Sequence, residues 1–370
     1  MIRMYRRVAG VGLALTMLVA GCGHSSSISQ GPATSSTPVP SVATSSTRAA
    51  SATSQAARDL PDPHTLRGLT EVPELPDPKP VEGSSAQKLP VTVTDVEGNK
   101  VTIKSTSRIL ALDLYGTLSR TLIGLGLGDK IVGRTVSSTE KQLHDRPVVT
   151  ENGHVLNVEA VAGLKPSVII ADRSVGPKEA LDQLRKSGIP VVLVDPHRSV
   201  GSTPQLIRTI ADAVGKPDAG EALVKRTQEQ IDQAKKQIAA WKPAKPMRVA
   251  FLYVRGNAGV FFILGSENGA SELIQGVGAD DVASDKGITT LVPANAESLV
   301  SINPDAIFVM RDGLASTGGM KGLLARAGVA NTTAGRKQRV ISIPDGISLS
   351  FGPQTGEVLT AVAKALYGVK

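Results

Sequence analysis

Asn157-Val158-Glu159-Ala160-Val161-Ala162-Gly163-Leu164-Lys165-Pro166-Ser167-Val168-Ile169 and Asn295-Ala296-Glu297-Ser298-Leu299-Val300-Ser301-Ile302-Asn303-Pro304-Asp305-Ala306-Ile307 are one pattern written twice, at a constant offset of 138 and without gaps. Each copy places an acidic residue in the first turn of a short helix, where the helix dipole favours it. Each then stops the helix at a proline and enters a β-branched run that reads as a buried strand. Two copies of one helix-to-strand unit predict two α/β lobes.

The sequence around the repeat fits that reading. From 109 onward, short apolar runs alternate with helical patterns: strand 109–112, helix 117–125, strand 131–134, helix 158–163, strand 168–171, helix 178–187, strand 191–194 and helix 205–214. The alternation restarts at 248 with strands 248–254 and 260–264, helices 271–276 and 296–301, strand 306–310, helix 320–327, strand 339–343 and helix 353–366. Such alternation implies parallel strands covered by helices. Between the two series, 221–241 runs without proline or glycine and ends at Lys242-Pro243, longer than any other helical pattern in the chain. The predicted architecture is therefore two Rossmann-like lobes, 91–216 and 243–370, joined by one long connecting helix within 217–242, with a ligand cleft between the lobes. Residues 91–94 and 101–103, turning at Gly98-Asn99, read as a hairpin that opens the first lobe.

The amino-terminal part is of another kind. Arg3, Arg6 and Arg7 precede an apolar stretch from Val8 to Ala20, too short to span a bilayer as a stable helix, and 1–21 reads as a signal peptide. Leu18-Val19-Ala20-Gly21-Cys22 resembles the lipobox of bacterial lipoproteins, which implies lipidation of Cys22 and anchorage at the outer face of the cell membrane. Cys22 is the only cysteine, so no disulfide forms within the chain and no thiol is left for catalysis. Residues 22–90, rich in Ser, Thr, Ala and Pro, read as a solvated tether. The net charge of +8 comes from basic residues dispersed among acidic ones with few aromatics, a pattern that argues against nucleic acid.

A lipobox, a polar tether, two α/β lobes, one connecting helix and the repeated Asn-x-Glu element together resemble the class III substrate-binding lipoproteins of ABC importers, over roughly 89–370. The resemblance implies a monomeric carrier whose Glu159 and Glu297, one per lobe, dock on a permease dimer. The plainer reading of both glutamates is that they are helix-terminal charges only. Within the class, Tyr253-Val254-Arg255 resembles the tyrosine-x-arginine element of haem-binding, HmuT-like members, and His154 lies just ahead of the first glutamate motif, where such members place a second ligand. The resemblance implies ferric haem held between His154 and Tyr253. Phenolate is a hard anionic ligand suited to ferric iron, but tyrosine ionises only at about pH 10 without help. Arg255, two residues along a strand, projects from the same face as Tyr253 and favours the charged form.

Met310, Arg173, Arg311 and Tyr115 stand at strand ends facing the expected cleft. For each of them core packing or solvent exposure is the plainer role, and the arginines are candidates for the propionates. His144 and His197 lack a matching position. Haem-donor surface proteins are a second class of partner. A ferric siderophore or a corrinoid is the alternative cargo for the same fold, needing no axial protein ligand. No Ser-His-Asp, G-x-S-x-G or H-E-x-x-H pattern is present, so no enzyme activity is expected.

Overall fold

The structure, a computed structural model, describes residues 60–370 except 84–85 and 257–258. The signal peptide, Cys22 and 22–59 lie outside the described residues.

The first lobe is built on a four-stranded parallel sheet in the order Ile131–Gly133, Ile109–Leu112, Val168–Ala171, Val191–Leu193. Its two central strands are buried along their whole length, as expected of parallel strands covered on both faces. The second lobe carries a seven-stranded mixed sheet. Leu69–Glu71, Val340–Ile343, Ala306–Met310 and Arg248–Arg255 run parallel, and Val260–Ile263 and Val292–Pro293 continue antiparallel. Asp280–Asp281 adds a short parallel pairing to Arg248–Arg255.

The repeat is conformational as well as textual. Asn157 and Asn295 each cap their helix, accepting the backbone N–H of Ala160 and Ser298 at 2.9 Å. Before the two prolines, Lys165 and Asn303 both take positive φ, 46° and 36°, which turns the chain sharply from helix into strand.

Helix Pro217–Trp241 joins the lobes and is about 37 Å long at 1.5 Å per residue. It begins four residues earlier than the apolar pattern suggests, because proline is accommodated in a first helical turn and Gly220 is needed there. A Cβ on Gly220 would stand 2.5 Å from the Cβ of Ala211, on helix Thr203–Ala213. On the other side, a Cβ on Gly356 would meet the backbone of Gln230 at 2.5 Å, so helix Thr355–Tyr367 closes onto the connecting helix in the same way. Two glycines thus let one helix serve as the spine of both lobes. Among the described residues no helix is long and apolar enough to cross a membrane.

The expected tether to residue 90 is corrected from residue 60 onward. Leu69–Glu71 is an edge strand, Val72 is fully buried, and the Pro-rich run after it is held at many points. Arg311 binds Glu74 at 2.6 Å, and Gln354 donates to the carbonyl of Pro76 at 2.9 Å. Asp77 accepts the N–H groups of Lys141 and Gln142 at 2.8 and 2.9 Å, and Arg226 donates to the carbonyl of Lys79 at 2.7 Å. A proline-rich segment has little backbone freedom to lose, so these hydrogen bonds and the buried Val72, Pro78 and Val81 hold it without any apolar periodicity. The segment is a strap that runs from the second lobe, along the connecting helix, to the first.

Candidate binding site between the lobes

The sheet register places the two lobes' strand ends in correspondence. Leu112 stands opposite Ala171, and Leu252 opposite Val309. Asp113 and Asp172 therefore occupy in the first lobe the places that Tyr253 and Met310 occupy in the second.

In the second lobe, Tyr253, Arg255 and Met310 come together. The alternation of strand Arg248–Arg255 puts Tyr253 and Arg255 on one face, and the guanidinium carbon of Arg255 lies 5.0 Å from the Tyr253 ring centre. Nη2 of Arg255 reaches Sδ of Met310 at 3.5 Å and Oδ1 of Asp345 at 2.5 Å. Asp345 opens the short helix that follows strand Val340–Ile343, and its Oδ2 accepts the backbone N–H of Asp312 at 2.8 Å. Burial pushes the Asp345 carboxyl upward, opposed by the Asp312 N–H and the charge of Arg255. Tyr253, Arg255 and Met310 are all half-buried, presenting a phenol, a cation and a thioether on one partly open face.

In the first lobe, the same places hold a closed ion cluster. Arg198, almost fully buried, is in contact with Asp172 and lies 3.7 Å from Asp113. Its guanidinium carbon stands 5.7 Å from the ring of Tyr115. Burial, and then the neighbouring Asp172, push Asp113 up to about 7. Burial raises the Tyr115 phenol too. Tyr115 also packs on the second lobe's apolar cluster of Phe251, Ile347 and Phe351, so it faces the gap between the lobes.

The other expected residues lie apart from these clusters. His154 is exposed, the last residue of a three-residue turn between strands Thr150–Glu151 and Val155–Leu156, in which Asn152 and Gly153 take positive φ. Arg173 is bound to Glu97 through two 2.8 Å bonds and to Asp182 at 3.1 Å, and Arg311 is bound to Glu74 and to the carbonyl of Val72. Both arginines are thus engaged within the protein. Glu159 and Glu297 are exposed, one on each lobe. His144 and His197 are exposed beside Asp145 and Asp195. Asp345 and Arg198 are the residues that reading the sequence missed. Each follows the last parallel strand of its lobe, and that position is the only signal either gives.

A cavity of about 790 Å³ is elsewhere. It lies between the connecting helix, the carboxy-terminal helix and residues 66–75, and none of the expected site residues lines it. The chemistry points instead to the open strand ends, where titratable and aromatic groups converge.

Comparison with known proteins agrees with this layout. Among curated proteins the chain is similar to the uncharacterized ABC transporter substrate-binding lipoprotein YvrC of Bacillus subtilis, with 27% identity over 280 residues, 75% of this chain and 86% of that one. It is also similar to the cobalamin-binding protein of Halobacterium salinarum, with 24% identity over 299 residues, 79% of this chain and 78% of that one. Among solved structures it is similar to the heme binding protein HmuT, with 49% identity and a TM-score of 0.82 over 84% of this chain and all of that one. HmuT has also been solved with one histidine, one tyrosine or one arginine replaced by alanine. A family model described as periplasmic binding protein matches residues 114–346. With two α/β lobes on one helical spine, the chain belongs to the periplasmic binding protein family of transport proteins.

Proposed function

We propose that this protein is the haem-binding component of an ABC importer, with ferric haem held between the lobes by Tyr253 and His154. The observation that carries the reading is the stacking of Arg255 on Tyr253, at a half-buried strand end next to Met310. A phenol oxygen is a hard ligand suited to ferric iron, and the cation beside it holds the ring at the strand end. His154, on the exposed turn of the other lobe, offers an imidazole for the opposite face. Support also comes from the spacing of the three residues replaced in HmuT. There the histidine precedes the tyrosine by 99 positions and the arginine follows it by two, the spacing of His154, Tyr253 and Arg255 here. Arg173 and Arg311 are the candidates for the haem propionates, each exchanging its present carboxylate partner, Glu97 or Glu74, for a propionate.

Anchorage through lipid on Cys22 rests on the lipobox-like sequence, with YvrC, named a lipoprotein, as support. The importer's permease is the expected partner, docking on Glu159 and Glu297.

Titration of the purified protein with hemin tests the cargo. The expected product has a shifted Soret band and an Fe(III)–phenolate charge-transfer band, and Tyr253→Ala abolishes the latter. An unchanged spectrum in that variant refutes the ligand assignment. The cobalamin-binding relative favours a second reading, capture of a corrinoid, for which Tyr253→Ala would leave affinity intact. The same titration with cobalamin separates the two.

A further inference from the structure

We propose that Asp345 is the positioning residue of the site, holding Arg255 over Tyr253 and thereby setting how strongly the tyrosine binds iron; the proposal rests on the haem reading given above. The argument begins with the flexibility of arginine. A half-exposed guanidinium held only by an aromatic ring would sample many rotamers, because the stacking attraction at such a site is comparable to the side chain's conformational entropy. Arg255 has one strong fixed partner, the Asp345 carboxylate, at 2.5 Å. A charge-assisted bond of that length fixes orientation as well as proximity.

Asp345 is itself fixed at its other oxygen by the N–H of Asp312, two residues beyond Met310. One carboxylate therefore ties together the ends of three neighbouring strands: its own, the one ending in Met310 and the one ending in Arg255. The chain has also made room for this arrangement. A Cβ on Gly313 would lie 2.3 Å from Nη1 of Arg255 and 2.5 Å from the carbonyl oxygen of Val254, so only glycine at 313 admits the guanidinium where it stands. In the first lobe the equivalent loop delivers Arg198 to two carboxylates. In the second it delivers a carboxylate to an arginine, leaving the tyrosine free for a ligand.

The experiment compares hemin spectra and haem loss to apomyoglobin for the unaltered protein, Tyr253→Ala, Asp345→Ala, Arg255→Ala and the double variant Asp345→Ala/Arg255→Ala. Asp345→Ala is expected to move the phenolate charge-transfer band in the same direction as Arg255→Ala and to speed haem loss about tenfold, the size of one charge-assisted hydrogen bond. The double variant is expected to match Arg255→Ala alone, because Asp345 acts through Arg255. If Asp345→Ala does not fold, Asp345→Asn, which keeps one acceptor, is expected to fall between the unaltered protein and Arg255→Ala. A band that moves in Arg255→Ala but not in the Asp345 variant, or losses that add in the double variant, overturns the proposal. Absence of any phenolate band in the unaltered protein, or its survival in Tyr253→Ala, overturns the haem reading instead.

Discussion

Nη1 of Arg120, on the first helix of the amino-terminal lobe, donates to Oε1 of Gln354 in the carboxy-terminal lobe across 2.8 Å. Its Nε donates to the carbonyl of Gly346 at 3.2 Å and lies 3.7 Å from the buried carboxylate of Glu140. One buried arginine thus staples the lobes and opposes the upward push that burial gives the Glu140 carboxyl. Removing one partner of such a pair leaves an uncompensated buried charge, so Arg120→Ala is expected to lower stability by about 3–5 kcal/mol. Urea denaturation at neutral pH measures it, and a loss below about 1 kcal/mol would show that the staple is not needed.

Asp113 makes stability depend on pH. Its folded value, about 7, lies above the ordinary carboxylate value, so between the two the native state holds a proton that the unfolded chain has released. Stability from this group therefore rises as pH falls from about 7 toward 4, and decreases as pH rises through 7 and the buried carboxylate ionises. Asp113→Asn keeps an acceptor for the N–H of Thr117 and removes the titration. Urea midpoints at pH 5 and pH 8 are expected to differ less in Asp113→Asn than in the unaltered protein, with the variant the more stable of the two at pH 8. Parallel pH profiles would rule this out.

Among the described residues no carboxylate pairs with the buried Arg339, and burial lowers it to about 10. Its guanidinium donates to the carbonyls of Ala365 and Leu366, at 2.5 and 2.8 Å, and to the hydroxyl of Thr70 at 2.7 Å. It therefore closes the last turn of helix Thr355–Tyr367, where the helix dipole favours a cation, and ties strand Leu69–Glu71 to it. Arg339→Ala is expected to cost about 2–4 kcal/mol by loss of charged hydrogen bonds and packing. Hydrogen exchange should show faster amides in 69–72 and in the final helical turn, and unchanged protection at both places would contradict the account.

Reversing charge at Glu159 and Glu297 together is expected to abolish uptake while leaving ligand affinity within about twofold, since both residues are exposed and effects of distant surface charges are screened. Uptake at the normal rate by a double Lys variant that binds its ligand would remove both residues from the docking surface.

The features that could be read from the sequence were those carried by local chemistry. Periodicity located the connecting helix and the alternating strands, and the repeat located two equivalent turns because each needs an asparagine cap, a positive-φ residue and a proline in fixed order. Period-two alternation put Tyr253 and Arg255 on one face. The edge strand Leu69–Glu71 was missed because only three residues pair and the apolar signal reduces to Val72. Asp345 and Arg198 were missed for another reason. Which acid meets which base across a sheet is decided by strand order, and strand order is not written in any local pattern. Arg173 and Arg311, equivalent in the repeat, likewise find acids brought by distant segments, Glu97 and Glu74.

The strap gives the molecule a mooring point. Leu69–Glu71 lies along Val340–Ile343, separated by two strands from the strand of Tyr253, so the described chain enters the fold on the lobe that carries the tyrosine. A pull from the amino-terminal side would load the parallel pairing of that strand in shear before any force reached the first lobe. Load applied there reaches the half bearing His154 through the spine, the strap, the staple and the bond from the N–H of Val200 to Glu272.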